Sequence, residues 1–225
     1  MNRAVDLAAL TAEDEARLAA ALAAASLACF PTDTVYGLGG RLAPATADAV
    51  VRVKGRDPDK PLQVVFPTVA LLLETVPFVP ALRTAVEQLL PGPLTLVVPY
   101  PPGLDCPAPG RLRTARGTTL ATLGVRVPDW PGRMAAMGRL RFPLLASSAN
   151  PSGGADAARL DDVEPAVLAA CDLLLDGGTT GGVSSTVLDL TGLELGLGWR
   201  VLRQGGAGYD DIAARLGGER KDGER

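Results

Sequence analysis

The chain contains no histidine. That absence removes Ser-His-Asp and Cys-His catalysis, histidine-ligated zinc and any imidazole general base. Cysteine is nearly as scarce. Cys29, Cys106 and Cys171 are odd in number, far apart and without a CxxC pair, which fits neither a disulfide framework nor a thiolate metal cluster and points to a reducing compartment. Aromatic residues make up 4% of the chain, too little for a base-stacking platform. Positive charge is not in excess either: 22 basic against 25 acidic residues give −3, whereas sequence-independent binding to a polyphosphate backbone needs a cationic surplus. A phosphate ligand must therefore meet a local cluster of cations. The longest early apolar run, over 18–30, falls short of the ~20 residues a membrane span requires. Asp6, Glu13, Asp14 and Glu15 precede it where a secretory signal carries positive charge, so the expected compartment is cytoplasmic, with no membrane partner.

What is present reads as an α/β protein. The 225 residues, 47% hydrophobic and 21% charged, suffice for one domain with its own core. Thr11 is placed to cap a helix running to about Ala25, and further helices are expected over 46–54 (stopped by Gly55), 80–90, 133–140, 163–170 and after Gly208. Apolar runs at 27–30, 62–66, 94–99, 121–127, 143–147, near 173, 186–190 and 200–202 read as strands. Strands interleaved with helices predict a twisted open mixed sheet flanked by helices, within a domain spanning 1–216. Residues 100–118 hold four prolines and three glycines and read as a loop, while 217–225 (GGERKDGER) read as a charged, flexible tail.

Four stretches carry chemistry, although no GxxxxGK[ST] and no Rossmann glycine spacing is present. The chain has three lysines, Lys54, Lys60 and Lys221, and two of them fall in the segment Lys54-Gly55-Arg56-Asp57-Pro58-Asp59-Lys60. Lysine is a compact point charge suited to phosphate oxygens; the plainer alternative is that Lys54 and Arg56 complement the dipole of the preceding helix. Pro31-Thr32-Asp33-Thr34-Val35-Tyr36-Gly37 follows a buried strand, where ligands sit in open α/β sheets, though Thr-Asp-Thr is also ordinary turn composition. Ser147-Ser148-Ala149-Asn150-Pro151-Ser152-Gly153 runs from a strand into short donors and a turn, a workable anion nest. Thr122 and Arg126 lie four apart on one strand and share a face, and a buried arginine there needs either a carboxylate partner or an anionic ligand.

In this order PTDTVYGLG, KGR…KPL, PGPLTLVV, GVRVP, SAN-x-SG, SSTVLDL and LRQG resemble the YrdC family of threonylcarbamoyl-AMP synthases, over roughly residues 30–205. The resemblance implies a nucleotidyltransferase that joins L-threonine, bicarbonate and ATP, with Mg²⁺ accompanying the ATP, into threonylcarbamoyl-AMP and pyrophosphate. Downstream transfer proteins would then carry the threonylcarbamoyl group to tRNA, which this protein itself need not contact. It also implies a concave ligand-binding face and, at this length, the single-domain form. The catalytic signature falls on Lys54, Arg56, Ser148 and Asn150. Nucleotide-binding positions map to Arg56, Lys60, Thr122, Ser148 and Arg203, and threonine-binding positions to Thr34, Arg126 and Ser185. No protein ligand to a metal is implied. Two positions depart from the pattern: Val65 stands where many relatives carry histidine, and Gly154-Ala155-Asp156 stands where relatives often offer a serine, putting a carboxylate near the phosphates. The 100–118 loop is a candidate lid.

Two other readings are weaker. A carbamoyl-adenylate enzyme of the hydrogenase-maturation type needs acylphosphatase and zinc-finger segments for which 225 residues and three cysteines leave no room. An RNA-binding module is disfavoured by the −3 charge and the shortage of aromatics.

Overall fold

The computed structural model describes residues 4–107, 109–113 and 119–217. After β1 (Val5–Asp6), Thr11 caps α1 (Ala12–Ala24). Its hydroxyl accepts from Asp14 N at 3.3 Å and the Asp14 carboxylate accepts from Thr11 N at 3.0 Å, satisfying two N–H groups the helix leaves open. β2 (Ala28–Phe30) and β3 (Gly37–Arg41) lead to α2 (Pro44–Lys54), which begins on a proline and ends on Gly55, left-handed at φ 58°. β4 (Gln63–Val65), α3 (Val69–Thr75), α4 (Pro80–Leu89), β5 (Leu94–Pro99), β6 (Gly110–Arg113) and β7 (Thr119–Arg126) follow. The remainder is β8 (Leu144–Ser148), α5 (Pro165–Ala169), β9 (Leu173–Asp176), β10 (Thr186–Asp189), β11 (Arg200–Arg203) and α6 (Tyr209–Leu216).

The strands form one open sheet in the order β1-β9-β2-β3-β8-β4-β7-β5-β10-β11, with β6 laid against β7. It is mixed, as expected. β4 and β7 are parallel, as are β5 and β10, while β8 runs antiparallel to β3 and β4.

Strand alternation explains where the site lies. Cys29, Leu38, Val64, Leu96, Leu123, Val125 and Leu145 point to one face and join the larger core, covered by apolar residues of α2 to α6. Ala28, Phe30, Val65, Leu144, Ala146 and Leu175 point to the other and pack on Leu18 and Leu22 of α1 and on Met137. That second covering stops short. Over the middle of the sheet, Gln63, Thr95, Val97, Thr122, Gly124 and Arg126 face a cleft instead of a helix.

Several elements differ from the sequence reading. The helix expected over 133–140 is two 3-10 turns, Gly132–Met134 and Met137–Arg139, because Pro131, Gly132 and Gly138 interrupt any longer run. Residues 100–118 are not all loop: β6 pairs with β7 from Gly110↔Thr122 to Arg113↔Thr119. Ala108 and 114–118 of that candidate lid, and 218–225 of the expected tail, lie outside the described residues. β3 was not expected, since its sequence is Gly-Leu-Gly-Gly-Arg. Its glycines serve close approach: a Cβ at Gly39 would stand 1.8 Å from Leu145 O on β8. No helix among the described residues is long and apolar enough to cross a membrane.

Candidate active site

The floor of the cleft, about 380 Å³ in volume, is β7. Thr122, Gly124 and Arg126 alternate inward there, and the two-residue period puts Arg126 at the buried end. Arg126 is 2% exposed, and its Nη2 donates to Asp33 Oδ1 and, at 2.6 Å, to Thr34 Oγ1. Asp129 N steadies the other Asp33 oxygen at 3.1 Å. Burial pushes the Asp33 carboxyl up and the Arg126 guanidinium down, and the pair stays charged because each supplies the other's counterion. Arg126 Nε is buried without a hydrogen-bond partner among the described residues. That leaves the hydrogen bonding of a buried cation beside the cleft incomplete.

Thr34 stands behind this arginine and is not among the residues lining the cleft. Thr32 Oγ1 gives its proton to Val35 O at 2.6 Å, so the 3.1 Å contact between the two threonine hydroxyls takes its proton from Thr34. Thr34 therefore orients Arg126 in this structure. Ser185, 2% exposed, lies across the cleft, with its Oγ 2.7 Å from Thr95 Oγ1.

A second cavity of about 450 Å³ adjoins the first and shares Arg56, Ser148, Ser184 and Arg203 with it. Lys54, Lys60, Asn150, Ser152, Asp156 and Gln204 complete its polar lining. Lys54 is at the end of α2 and only 5% exposed; its Nζ donates to the backbone carbonyls of Ser148 and Asn150 and to Asn150 Oδ1. Burial, reinforced by the Arg56 charge, pulls its ammonium down to about 8, and Asp156 opposes that fall. Ser148 Oγ donates to Asn150 Oδ1 at 2.5 Å, and Asn150 Nδ2 donates to Gly154 O at 2.5 Å, so the 148–154 turn is tied to α2. Arg56 donates to Ser147 Oγ at 3.0 Å and to Pro61 O at 2.8 Å. Its Nε is buried and unpartnered among the described residues, and burial lowers its pKa. Arg203, exposed on the edge strand β11, donates to Ser185 O at 2.8 Å. Lys60 is exposed at the rim.

The structure thus brings Lys54, Arg56, Lys60, Ser148, Asn150 and Arg203 around one cavity and Thr122, Arg126 and Ser185 around the adjoining cleft. Of the two departing positions, Val65 is 2% exposed in the second core cluster, and Asp156 lines the cation-rich cavity, where it accepts from Ser184 Oγ. Sequence reasoning passed over Gln63, Thr95 and Arg111, all of which line the cleft. For Gln63 and Thr95 the readable signal was a single polar residue inside an otherwise apolar strand.

No group of three or more Cys, Asp or Glu side chains among the described residues is arranged to hold a metal ion. Asp156 is the one carboxylate among the described residues lining the second cavity. Against that one carboxylate the cavity sets Lys54, Arg56, Lys60 and Arg203.

An open mixed α/β sheet whose uncovered face sets a buried arginine beside a cation-lined cavity is suited to anionic groups. The chain belongs to the Sua5/YciO/YrdC family, whose model, described as telomere recombination, matches residues 20–205. It is 34% identical over 207 residues to threonylcarbamoyl-AMP synthase of Bacillus subtilis, covering 90% of this chain and 56% of that one. To threonylcarbamoyl-AMP synthase of Pyrococcus abyssi it is 32% identical over 196 residues, covering 85% and 54%. The crystal structure of P. abyssi Sua5 complexed with L-threonine superposes with a TM-score of 0.71 at 28% identity, over 92% of this chain and 59% of that one. The chain spans a little over half the length of these relatives.

Proposed function

We propose that this protein is a threonylcarbamoyl-AMP synthase, acting on L-threonine, bicarbonate and ATP. The observation that carries the reading is Arg126: a buried guanidinium lining the floor of a cleft that adjoins a cavity lined by Lys54, Arg56, Lys60 and Arg203. One compartment suits an amino-acid carboxylate, the adjoining one a triphosphate. The relatives' names and the threonine-bound neighbour support the same assignment.

The chemistry follows from that division. Arg126 holds the threonine carboxylate, positioned by Asp33 and Thr34, while Ser185 and Thr122 line the cleft around the substrate. The threonine amine attacks the bicarbonate carbon, and water is lost as the carbamate forms. A carbamate oxygen then attacks the α-phosphorus of ATP, and pyrophosphate leaves. Charge gathers on phosphoryl oxygens throughout, so catalysis is positioning and electrostatic stabilisation, which needs no histidine. Arg56, Lys60 and Arg203 neutralise the phosphates, Mg²⁺ enters with the nucleotide, and Ser148 sits at the junction of the two compartments. Lys54 adds its charge to the cavity while holding the Ser148–Asn150 turn. The product is a reactive adenylate, to be consumed by partner proteins that modify tRNA in the cytoplasm.

Pyrophosphate release, measured with each substrate omitted in turn, tests this. The expected result is strict dependence on both threonine and bicarbonate; release that continues at the same rate without threonine overturns the reading.

A further inference from the structure

Across the cleft from Arg126 runs a chain of hydroxyls that ends on an amide. Arg203 Nη2 approaches Ser185 Oγ at 3.5 Å, Ser185 Oγ and Thr95 Oγ1 are 2.7 Å apart, and Thr95 Oγ1 donates to Gln63 Oε1 at 2.9 Å. Each hydroxyl has one proton. Thr95 gives its proton to Gln63, so the proton between Ser185 and Thr95 comes from Ser185, and the Arg203 cation faces the Ser185 oxygen as an acceptor. With Gln63 Oε1 turned toward Thr95, the chain of donors runs from Arg203 through Ser185 and Thr95 to Gln63. Gln63 Nε2 is left with no hydrogen-bond partner among the described residues, on a half-buried side chain that lines the cleft. Thr95 and Ser185 are 5% and 2% exposed, so the orienting groups are themselves held in place.

Gly124 makes this reach feasible. It lies on β7 between Gln63 of β4 and the β5 strand that carries Thr95, and a Cβ there would stand 3.6 Å from Gln63 Cβ and 3.7 Å from Thr95 Cγ2, in the space the two side chains span. Gln63 pairs in register with Gly124, and Val65 with Arg126, so Gln63 and Arg126 lie on neighbouring parallel strands, two residues apart along the sheet. With strands ~4.8 Å apart and a rise of ~3.3 Å per residue, their Cα atoms stand about 8 Å apart, within reach of an α-amino acid held by its carboxylate at one end and its side chain at the other.

We infer that Gln63, held by Thr95 and Ser185, is the specificity-determining residue that donates from Nε2 to the side-chain hydroxyl oxygen of the amino-acid substrate. This rests on the amino-acid reading of the cleft proposed above. A site that hydrogen-bonds a substrate hydroxyl rejects the analogue lacking it, because the site's own donor is then desolvated without a partner. The chain therefore separates threonine from 2-aminobutyrate, which differs from it by that hydroxyl alone, and Gln63 is the source of the separation.

The test is calorimetric binding of L-threonine and of L-2-aminobutyrate to the full chain, with thermal unfolding recorded for each variant. Gln63→Met keeps length and volume but removes the donor, and it is expected to lower the threonine-to-aminobutyrate affinity ratio by at least about tenfold while aminobutyrate binding is kept. Thr95→Val frees the amide and lowers the ratio in the same direction, and Thr95→Ser restores it; a merely structural role would move both ligands together. An unchanged ratio in folded Gln63→Met overturns the inference and leaves the proposed reaction standing. Failure of the unaltered protein to bind either amino acid overturns both.

Discussion

Asn150 is held to Lys54 at two points, through its backbone carbonyl and through its side-chain Oδ1. The same ammonium also takes the carbonyl of Ser148, so one side chain at the end of α2 sets the shape of the turn between the two cavities. Lys54→Ala leaves these acceptors without their donor, at a cost of about 1–3 kcal/mol for a buried group left unsatisfied. It is expected to lower both the unfolding temperature and pyrophosphate release, the latter by ~10²-fold or more. Native stability together with native turnover would remove Lys54 from this role.

Burial mainly decides how far into alkaline pH the Lys54 charge survives, and Asp156 extends that range. Burial and the Arg56 charge bring Lys54 from 10.5 down to about 8, against the pull of Asp156. Because the folded value is the lower one, the unfolded chain holds the proton more tightly between about 8 and 10.5; this group's stability penalty is full below about 8 and relaxes as pH rises. ATP affinity runs the other way, falling as pH rises through about 8 and the cavity loses a cation. Asp156→Asn shifts that fall to lower pH. The pH profile of ATP dissociation constants for the two proteins checks this, and superimposable profiles contradict it.

Buried Arg126 pairs with the largely buried Asp33, so removing one partner strands the other. Arg126→Met is expected to destabilise the fold by about 3–5 kcal/mol. Adding Asp33→Asn recovers much of that stability but none of the threonine affinity. Denaturant unfolding and threonine titration of the single and double variants separate the two roles; a double variant that binds threonine normally contradicts the carboxylate assignment.

Gly39 has no room for a side chain. A Cβ would sit 1.8 Å from Leu145 O, and the neighbour is backbone, so β3 and β8 must part for Gly39→Ala to be accommodated. The expected loss exceeds the ~1–3 kcal/mol usual for overpacking. An unfolding temperature equal to that of the unaltered chain would contradict the packing described for this strand pair.

Much of the fold was legible because its signals are local. The Thr11 cap, the Gly55 stop and the apolar runs of β5 and β8 follow from residues within one turn or one strand. β3 was not legible, since what makes Gly39 necessary is a carbonyl on β8 about a hundred residues away in sequence. The cation cluster around Arg56 could be read from the shortage of lysine elsewhere, and the need of Arg126 for a partner from its place in an apolar strand. That the partner is Asp33, leaving Nε over, and that Gln63 reaches Thr95 across Gly124, depend on strand order, which periodicity does not carry.

The central claim is that the cleft and the cavity beside it hold an amino acid and a triphosphate for one joining reaction. The most direct measurement is to supply labelled threonine, labelled bicarbonate and labelled ATP and to separate the nucleotide products. Threonine, the bicarbonate carbon and AMP are expected in equal amounts in one compound, released with pyrophosphate. AMP or ADP formed with neither label attached would contradict the account.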